Sequence, residues 1–168
     1  MRLDRPIGIA LLLWPTLWAL WIASRGRPRL ALLAIFVTGT LLMRSAGCVV
    51  NDFFDRNIDP YVRRTRWRPL AARRLSPWEA LALAVGLALL ALLLALRLNA
   101  AALKLAWIGA AITVSYPLFK RFFPIPQLYL GVAFGWGVPM AFAAELGAVP
   151  RAGWLMLVAA VLWAGVYD

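Results

Sequence analysis

The chain has 168 residues, 64% of them hydrophobic, with nine tryptophans and a formal net charge of +11. That apolar share excludes a water-soluble domain, and the charge comes from arginines set between apolar runs, the pattern of membrane flanks and not of a nucleic-acid surface. With no histidine and a single cysteine, Cys48, the sequence excludes an internal disulfide, a histidine-based triad and a Cys/His metal site.

Six apolar runs follow in order, each near the ~20 residues that a helix needs to cross a bilayer. They cover about Ile7–Ala23, Leu30–Val50, Pro77–Leu96, Ala100–Ser115, Leu128–Ala144 and Gly153–Tyr167. They are continuous and rich in Leu and Ala, without the alternation of a membrane barrel, so the expected fold is all-α and integral to the membrane, one domain over residues 1–168. The first run follows Arg2 and Arg5 like a signal peptide. It is Trp-rich, contains Pro15 and lacks a small-residue cleavage site, so it reads as a retained helix. Trp14, Trp18 and Trp21 line one of its faces, as packing or as an interfacial belt. Cys48, in the second run, reads as a small packing residue.

With the N-terminus on the cytoplasmic side, that side receives Arg2, Arg5, the arginines from Arg56 to Arg74, and Lys120 with Arg121. The opposite side receives Arg25, Arg27, Arg29, Arg97, Lys104 and Arg151, a smaller share, although the Arg25–Arg29 cluster dissents. The third run opens with Ser76-Pro77-Trp78-Glu79, a helix start with Ser as N-cap, Pro at the first position and Glu at the third. In the fifth, Gly131 and Gly135 form a small-xxx-small packing pair, while Gly137 and Pro139 are expected to loosen the helix near a cavity. Glu145 reads as a solvated loop residue. The sixth run ends in Tyr167-Asp168, which an even number of crossings places on the same side as Asn51–Asp59. A terminus so close to a span suggests a fragment.

The second run ends in Asn51-Asp-Phe-Phe-Asp-Arg-Asn-Ile-Asp59, which gathers three of the seven acidic residues at the margin of an apolar segment. Continued as a helix at about 100° per residue, it places Asp52, Asp55 and Asp59 on one face, with Asn51 and Asp55 one turn apart. Such carboxylates repel unless cations lie among them. Hard oxygen ligands of this kind suit Mg²⁺, which shares itself with water and substrate phosphates. The expectation is a membrane-embedded site for a magnesium-bound phosphate or diphosphate. Arg44 shares that face but lies deeper, by roughly 10–16 Å at 1.5 Å per residue. Its permanent charge either pairs with a carboxylate or carbonyl of a neighbouring helix or binds an anionic acceptor. The loop Arg63-Arg-Thr-Arg-Trp-Arg-Pro-Leu70 either fixes orientation against anionic lipid or clamps a diphosphate with guanidinium forks. Lys120 and Arg121 would close the other side of that anion, and Tyr116, one turn earlier, would add a phenolic hydrogen bond.

These residues resemble a known family. Asn51–Asp59 is similar to the NDxxDxxxD signature of the UbiA superfamily of intramembrane aromatic prenyltransferases, and Arg64-Thr65 with Arg68-Pro69-Leu70 continues the likeness. Arg5-Pro-Ile-Gly8, Leu13-Trp-Pro-Thr-Leu-Trp18, Arg44-Ser-Ala-Gly-Cys-Val-Val-Asn51, Tyr116-Pro-Leu-Phe-Lys-Arg121 and Phe134-Gly-Trp-Gly-Val-Pro-Met-Ala-Phe-Ala143 resemble its 4-hydroxybenzoate polyprenyltransferase branch. The resemblance implies a nine-helix bundle around a cavity open to lipid, six of whose helices are present. Two aspartate motifs would hold Mg²⁺ and the diphosphate of a polyprenyl donor. Asn51, Asp55 and Asp59 would carry the first motif, adjoined by Asp52, and Asp168 would open the second. The resemblance further implies catalytic roles for Asp55 and Asp59, with Asp168 orienting or deprotonating the phenol. Arg64, Arg68, Tyr116, Lys120 and Arg121 would bind diphosphate, and Arg44 the benzoate carboxylate. The implied reaction belongs to ubiquinone biosynthesis in a bacterial inner membrane. Within the family, acceptors vary among 4-hydroxybenzoate, dihydroxynaphthoate, homogentisate and haem, and local similarity favours the first. Prenyl chain length is not legible, since apolar tunnel walls carry no residue signature.

Two rival classes make different demands. A CDP-alcohol phosphotransferase needs an Asp-Gly opening and a later Asp-x-x-x-Asp in an order absent here. An intramembrane cation transporter needs acidic residues facing one another at mid-membrane depth.

Overall fold

The computed structural model describes residues 7–167. The chain runs α1 (Ile7–Ala23), α2 (Leu30–Asp55), a 3₁₀ turn (Asp59–Tyr61), α3 (Pro77–Ala95), α4 (Ala100–Phe119), α5 (Pro126–Gly135), α6 (Gly137–Leu146) and α7 (Arg151–Tyr167). Every apolar run is helical, and the described residues contain no strand. α2, α3, α4 and the α5–α6 unit (Pro126–Leu146) are long and apolar enough to cross a bilayer, whereas α1 and α7 have 17 residues each.

Sequence chemistry explains where the helices start and stop. Ser76 Oγ accepts from the Glu79 N–H and Glu79 Oε2 from the Ser76 N–H, at 3.2 and 2.8 Å, the reciprocal capping expected of that tetrapeptide. The fifth run does not stay whole. Pro139 supplies no N–H for the carbonyl one turn back, and the helix is interrupted at Trp136, between α5 and α6. Trp136 turns its indole N–H onto the Leu105 carbonyl at 2.8 Å, against Gly109, where a Cβ would come within 2.5 Å of the ring. Breaking one membrane-length helix is tolerable where neighbouring helices take up the freed groups.

The core is shared by α1, α2, α4 and α6 through Ala19, Leu20, Phe36, Ala102, Val138 and Phe142. Small residues set the closest approaches. A Cβ on Gly131 would lie 2.7 Å from the Val161 carbonyl oxygen of α7, and one on Gly135 would lie 2.9 Å from Leu157. The pair is therefore a helix-packing device. Gly131→Leu should separate α5 from α7 and cost about 1–3 kcal/mol through overpacking, read as a lower thermal midpoint in detergent. An unchanged midpoint would show that this contact carries no stability.

The outer surface is apolar. Trp14, Trp18 and Trp21 are 45–54% exposed and Leu89, Leu93 and Leu155 are 55–63% exposed, a dressing that suits acyl chains as solvent. Away from the carboxylates, Asn99 caps α4 through the Ala102 N–H at 2.9 Å. Its Nδ2 also donates to the Ala143 and Ala144 carbonyls at 2.7 and 3.1 Å, sealing the end of α6. Glu145 departs from the sequence expectation. It sits in the last turn of α6, its side chain 12% exposed, and pairs with Arg29 at 3.3 Å. The cause is a partner 116 residues away, whose guanidinium also donates to the Ala144 carbonyl.

Candidate functional site

α2 ends at Asp55 because Pro60 has no N–H to bond the carbonyl of residue 56, so no α-helix continues through it. The Ile58 N–H closes a turn on the Asp55 carbonyl at 2.8 Å, and the chain enters the 3₁₀ turn at Asp59. Asp59 is thus not on the helical face that uninterrupted periodicity assigns it. Arg68 brings it back. One nitrogen, Nη1, donates to Asp52 Oδ1 at 2.9 Å and to Asp59 Oδ2 at 2.8 Å. The intervening loop is held by buried Thr65, whose hydroxyl donates to the Asp59 carbonyl at 3.1 Å, and by Leu70, packed with Val49, Ala80 and Ala84.

Asp55 faces a different cation. Asn51 Nδ2 donates to Asp55 Oδ2 at 3.1 Å, and Lys120 Nζ donates to Asn51 Oδ1 at 2.8 Å and to Asp55 Oδ2 at 2.5 Å. Arg121 Nη2 donates to the Phe54 carbonyl at 3.0 Å and lies 3.9 Å from Asp55 Oδ1. Lys120 is set by the end of α4, which Tyr129 of α5 pins. The Tyr129 ring stacks on Phe119 at 5.2 Å, and its hydroxyl lies 2.7 Å from Ser115 Oγ. The expected single stripe is therefore divided into two sets, Asp52–Arg68–Asp59 and Asn51–Asp55–Lys120. One guanidinium bridges two carboxylates in the first and one ammonium meets one carboxylate in the second, which lowers the cost of holding charge at a membrane margin.

Next to these sets lies a cavity of about 1,220 Å³, its wall formed in part by Asn51, Asp52, Arg64, Arg68, Tyr116 and, deeper, Arg44. The rest is mostly apolar, including Leu92, Trp107, Phe134 and Met140. Asp55, Asp59, Lys120 and Arg121 do not line it; among the described residues Asn51 links Asp55 and Lys120 to its wall, and Arg68 and Thr65 link Asp59. Arg44 Nη1 contacts Cys48 Sγ, and its guanidinium lies 5.7 Å from the Phe134 ring centroid. No carboxylate or carbonyl among the described residues accepts from it. Gly8 makes room for this arginine, since a Cβ there would lie 2.6 Å from Nη2.

Asn51, Asp52, Asp55 and Asp59 present only oxygen-bearing ligands to a metal, a set suited to a hard cation. No three acidic or thiol side chains among the described residues converge on one point. One set instead offers two carboxylates, Asp52 and Asp59, and the other one carboxylate and an amide oxygen, Asp55 and Asn51. Mg²⁺ commonly takes one or two carboxylates and completes its shell from water and phosphate. The described carboxylates sit near helix ends or in the 3₁₀ turn, none in the middle of a span, which disfavours an ion path. Asp168, Arg2 and Arg5 lie outside the described residues. Gly109 and Tyr129 escaped the sequence reading, and Trp136 entered it only as part of the family-like segment Phe134–Ala143, with no role. The signals for them were Pro139 downstream of Trp136 and the aromatic density around Tyr129.

A multi-pass helical membrane protein with a largely apolar cavity beside clustered charges is the class these features define. Residues 12–168 match the UbiA prenyltransferase family, and the chain belongs to that family, as its motifs suggested. It is 63% identical over 167 residues to a 4-hydroxybenzoate octaprenyltransferase of Thiobacillus denitrificans, covering 99% of this chain and 57% of that protein. It is 59% identical over 168 residues to one of Ralstonia nicotianae, covering 100% and 58%. The apo structure of a UbiA homolog from Aeropyrum pernix K1 superposes with a TM-score of 0.81 at 29% identity, over 100% of this chain and 62% of that one. The chain therefore spans a little over half the length of these curated relatives.

Proposed function

We propose that this chain supplies the first aspartate motif and much of the substrate cavity of an Mg²⁺-dependent 4-hydroxybenzoate polyprenyltransferase of ubiquinone biosynthesis. The enzyme lies in a bacterial inner membrane with its N-terminus cytoplasmic. Six crossings within one membrane domain, part of a nine-helix bundle, complete the reading. The observation that carries it is the contact between the two acidic–basic sets and one end of a largely apolar cavity. A diphosphate headed by metal ligands and tailed by isoprene has that same division of polarity.

Asn51 and Asp55, and Asp52 with Asp59, would hold the metal, joined by Asp168. Bound there, Mg²⁺ would neutralise charge gathering on the departing diphosphate. Arg64 and Arg68 would grip its oxygens directly, Lys120 and Arg121 from the α4 end, and Tyr116 by its hydroxyl. As the allylic C–O bond breaks, the ring carbon ortho to the phenol attacks and later sheds its proton. Asp168 is the candidate to orient or deprotonate the phenol. Arg44 would hold the acceptor carboxylate against Phe134, and the apolar wall would exclude water from the allylic cation.

Two measurements test this. Full-length protein in bilayers should transfer a polyprenyl group to 4-hydroxybenzoate, and chelation should stop it; equal product with and without EDTA would remove the metal from the account. Gly8→Ala should push Arg44 aside and raise the KM for 4-hydroxybenzoate about tenfold, as for a weakened charged hydrogen bond, leaving that for the diphosphate unchanged. Equal effects on both substrates would detach Gly8 from acceptor binding.

A further inference from the structure

Arg68 and Lys120 each occupy oxygens that a metal would need. Arg68 Nη1 lies within 2.9 Å of both Asp52 and Asp59, and Lys120 Nζ within 2.8 Å of both Asn51 and Asp55. Their side chains are only 16% and 22% exposed, so solvent screens these pairs little. A divalent cation cannot take the same lone pairs while an ammonium or guanidinium holds them, because ligands are shared and like charges repel. An incoming diphosphate changes the balance. It offers oxygens of higher charge density to the same guanidinium fork, and Arg68 already stands on the cavity wall.

We infer that Arg68 and Lys120 are exchangeable counter-ions of the acidic sets, surrendered to the diphosphate when it binds, so that diphosphate and divalent cation are taken up as one event. This rests on the diphosphate reading of the site and adds an order to it. Without the anion, the two cations offset most of the charge of the three carboxylates at the membrane margin. With it, they turn to phosphate and give up to the metal the oxygens they hold on Asp52, Asp55 and Asp59. The coupling is reciprocal, so metal favours the anion as strongly as the anion favours metal. After reaction, departure of diphosphate with its metal lets both cations return.

The test uses full-length protein in nanodiscs with Mn²⁺ alone as an EPR-visible probe and no diphosphate. Wild type should bind Mn²⁺ weakly, whereas Arg68→Gln and Lys120→Met should bind it about tenfold or more tightly while holding inorganic pyrophosphate less well. Arg68→Lys, which keeps the charge, should remain close to wild type and guards against a Gln variant that does not fold. Arg64→Gln removes a nearby charge that touches no carboxylate among the described residues, so it should change Mn²⁺ affinity less than twofold. Equal Mn²⁺ affinity in wild type, Arg68→Gln and Lys120→Met would overturn the exchange and leave the diphosphate reading standing. A gain in Arg64→Gln as large as in Arg68→Gln would also overturn it, by reducing the effect to net charge. Absence of Mn²⁺ binding in every protein, Arg68→Gln and Lys120→Met included, would also overturn the exchange, while the diphosphate reading, in which metal arrives with phosphate, would stand.

Discussion

Asp55→Ala and Asp59→Ala are each expected to lower prenyl transfer by roughly a thousandfold or more. Metal neutralisation of a leaving group supplies several kcal/mol, and each 1.36 kcal/mol is a factor of ten in rate. The two positions should fail for different structural reasons. Asp55→Ala leaves Lys120 with Asn51 as its hydrogen-bond partner, and Asp59→Ala leaves Arg68 with Asp52. Steady-state turnover at saturating donor and acceptor, with the elution profile in detergent as the check on folding, reads the result. Near-normal turnover in either variant would remove that residue from the catalytic assignment. Glu145→Ala is the informative contrast. Its partner Arg29 lies at the opposite end of the bundle, so turnover should be preserved while thermal stability falls slightly.

Arg44→Ala is expected to raise the KM for 4-hydroxybenzoate by about 10- to 100-fold, the worth of a charged hydrogen bond of about 1.5–3 kcal/mol, with little change for the polyprenyl diphosphate. The site makes this sharper than the sequence could. Arg44 has no carboxylate partner among the described residues, so its removal strands no buried anion. An acceptor KM equal to wild type would return Arg44 to a packing role beside Cys48 and Phe134.

The helices were legible because each is a continuous apolar run, and Ser76–Glu79 was legible because capping chemistry is local. What escaped was non-local or depended on one backbone atom. Pro60 lacks the N–H that would have carried α2 past Asp59, so a helical wheel put that carboxylate in the right company by the wrong route. Its actual link to Asp52 is Arg68, on a loop that periodicity does not describe. The separate pairing of Asp55 depends on Lys120, 65 residues away, and no spacing rule connects them. Glu145 was misread for the same reason, its cation lying 116 residues upstream. Arg44 was legible as anomalous, yet its lack of a carboxylate partner among the described residues needed the packed neighbours.

Asn99 ties the beginning of one helix to the end of another, and this has a consequence for biogenesis. Its carboxamide oxygen finds a partner three residues on, but the amide nitrogen must wait for the Ala143 carbonyl, 44 residues later. At ~5–20 residues per second, a ribosome takes seconds to deliver that acceptor. During the delay the nascent hairpin stays unlatched at this corner, so the translocon, and not the finished bundle, must shelter it.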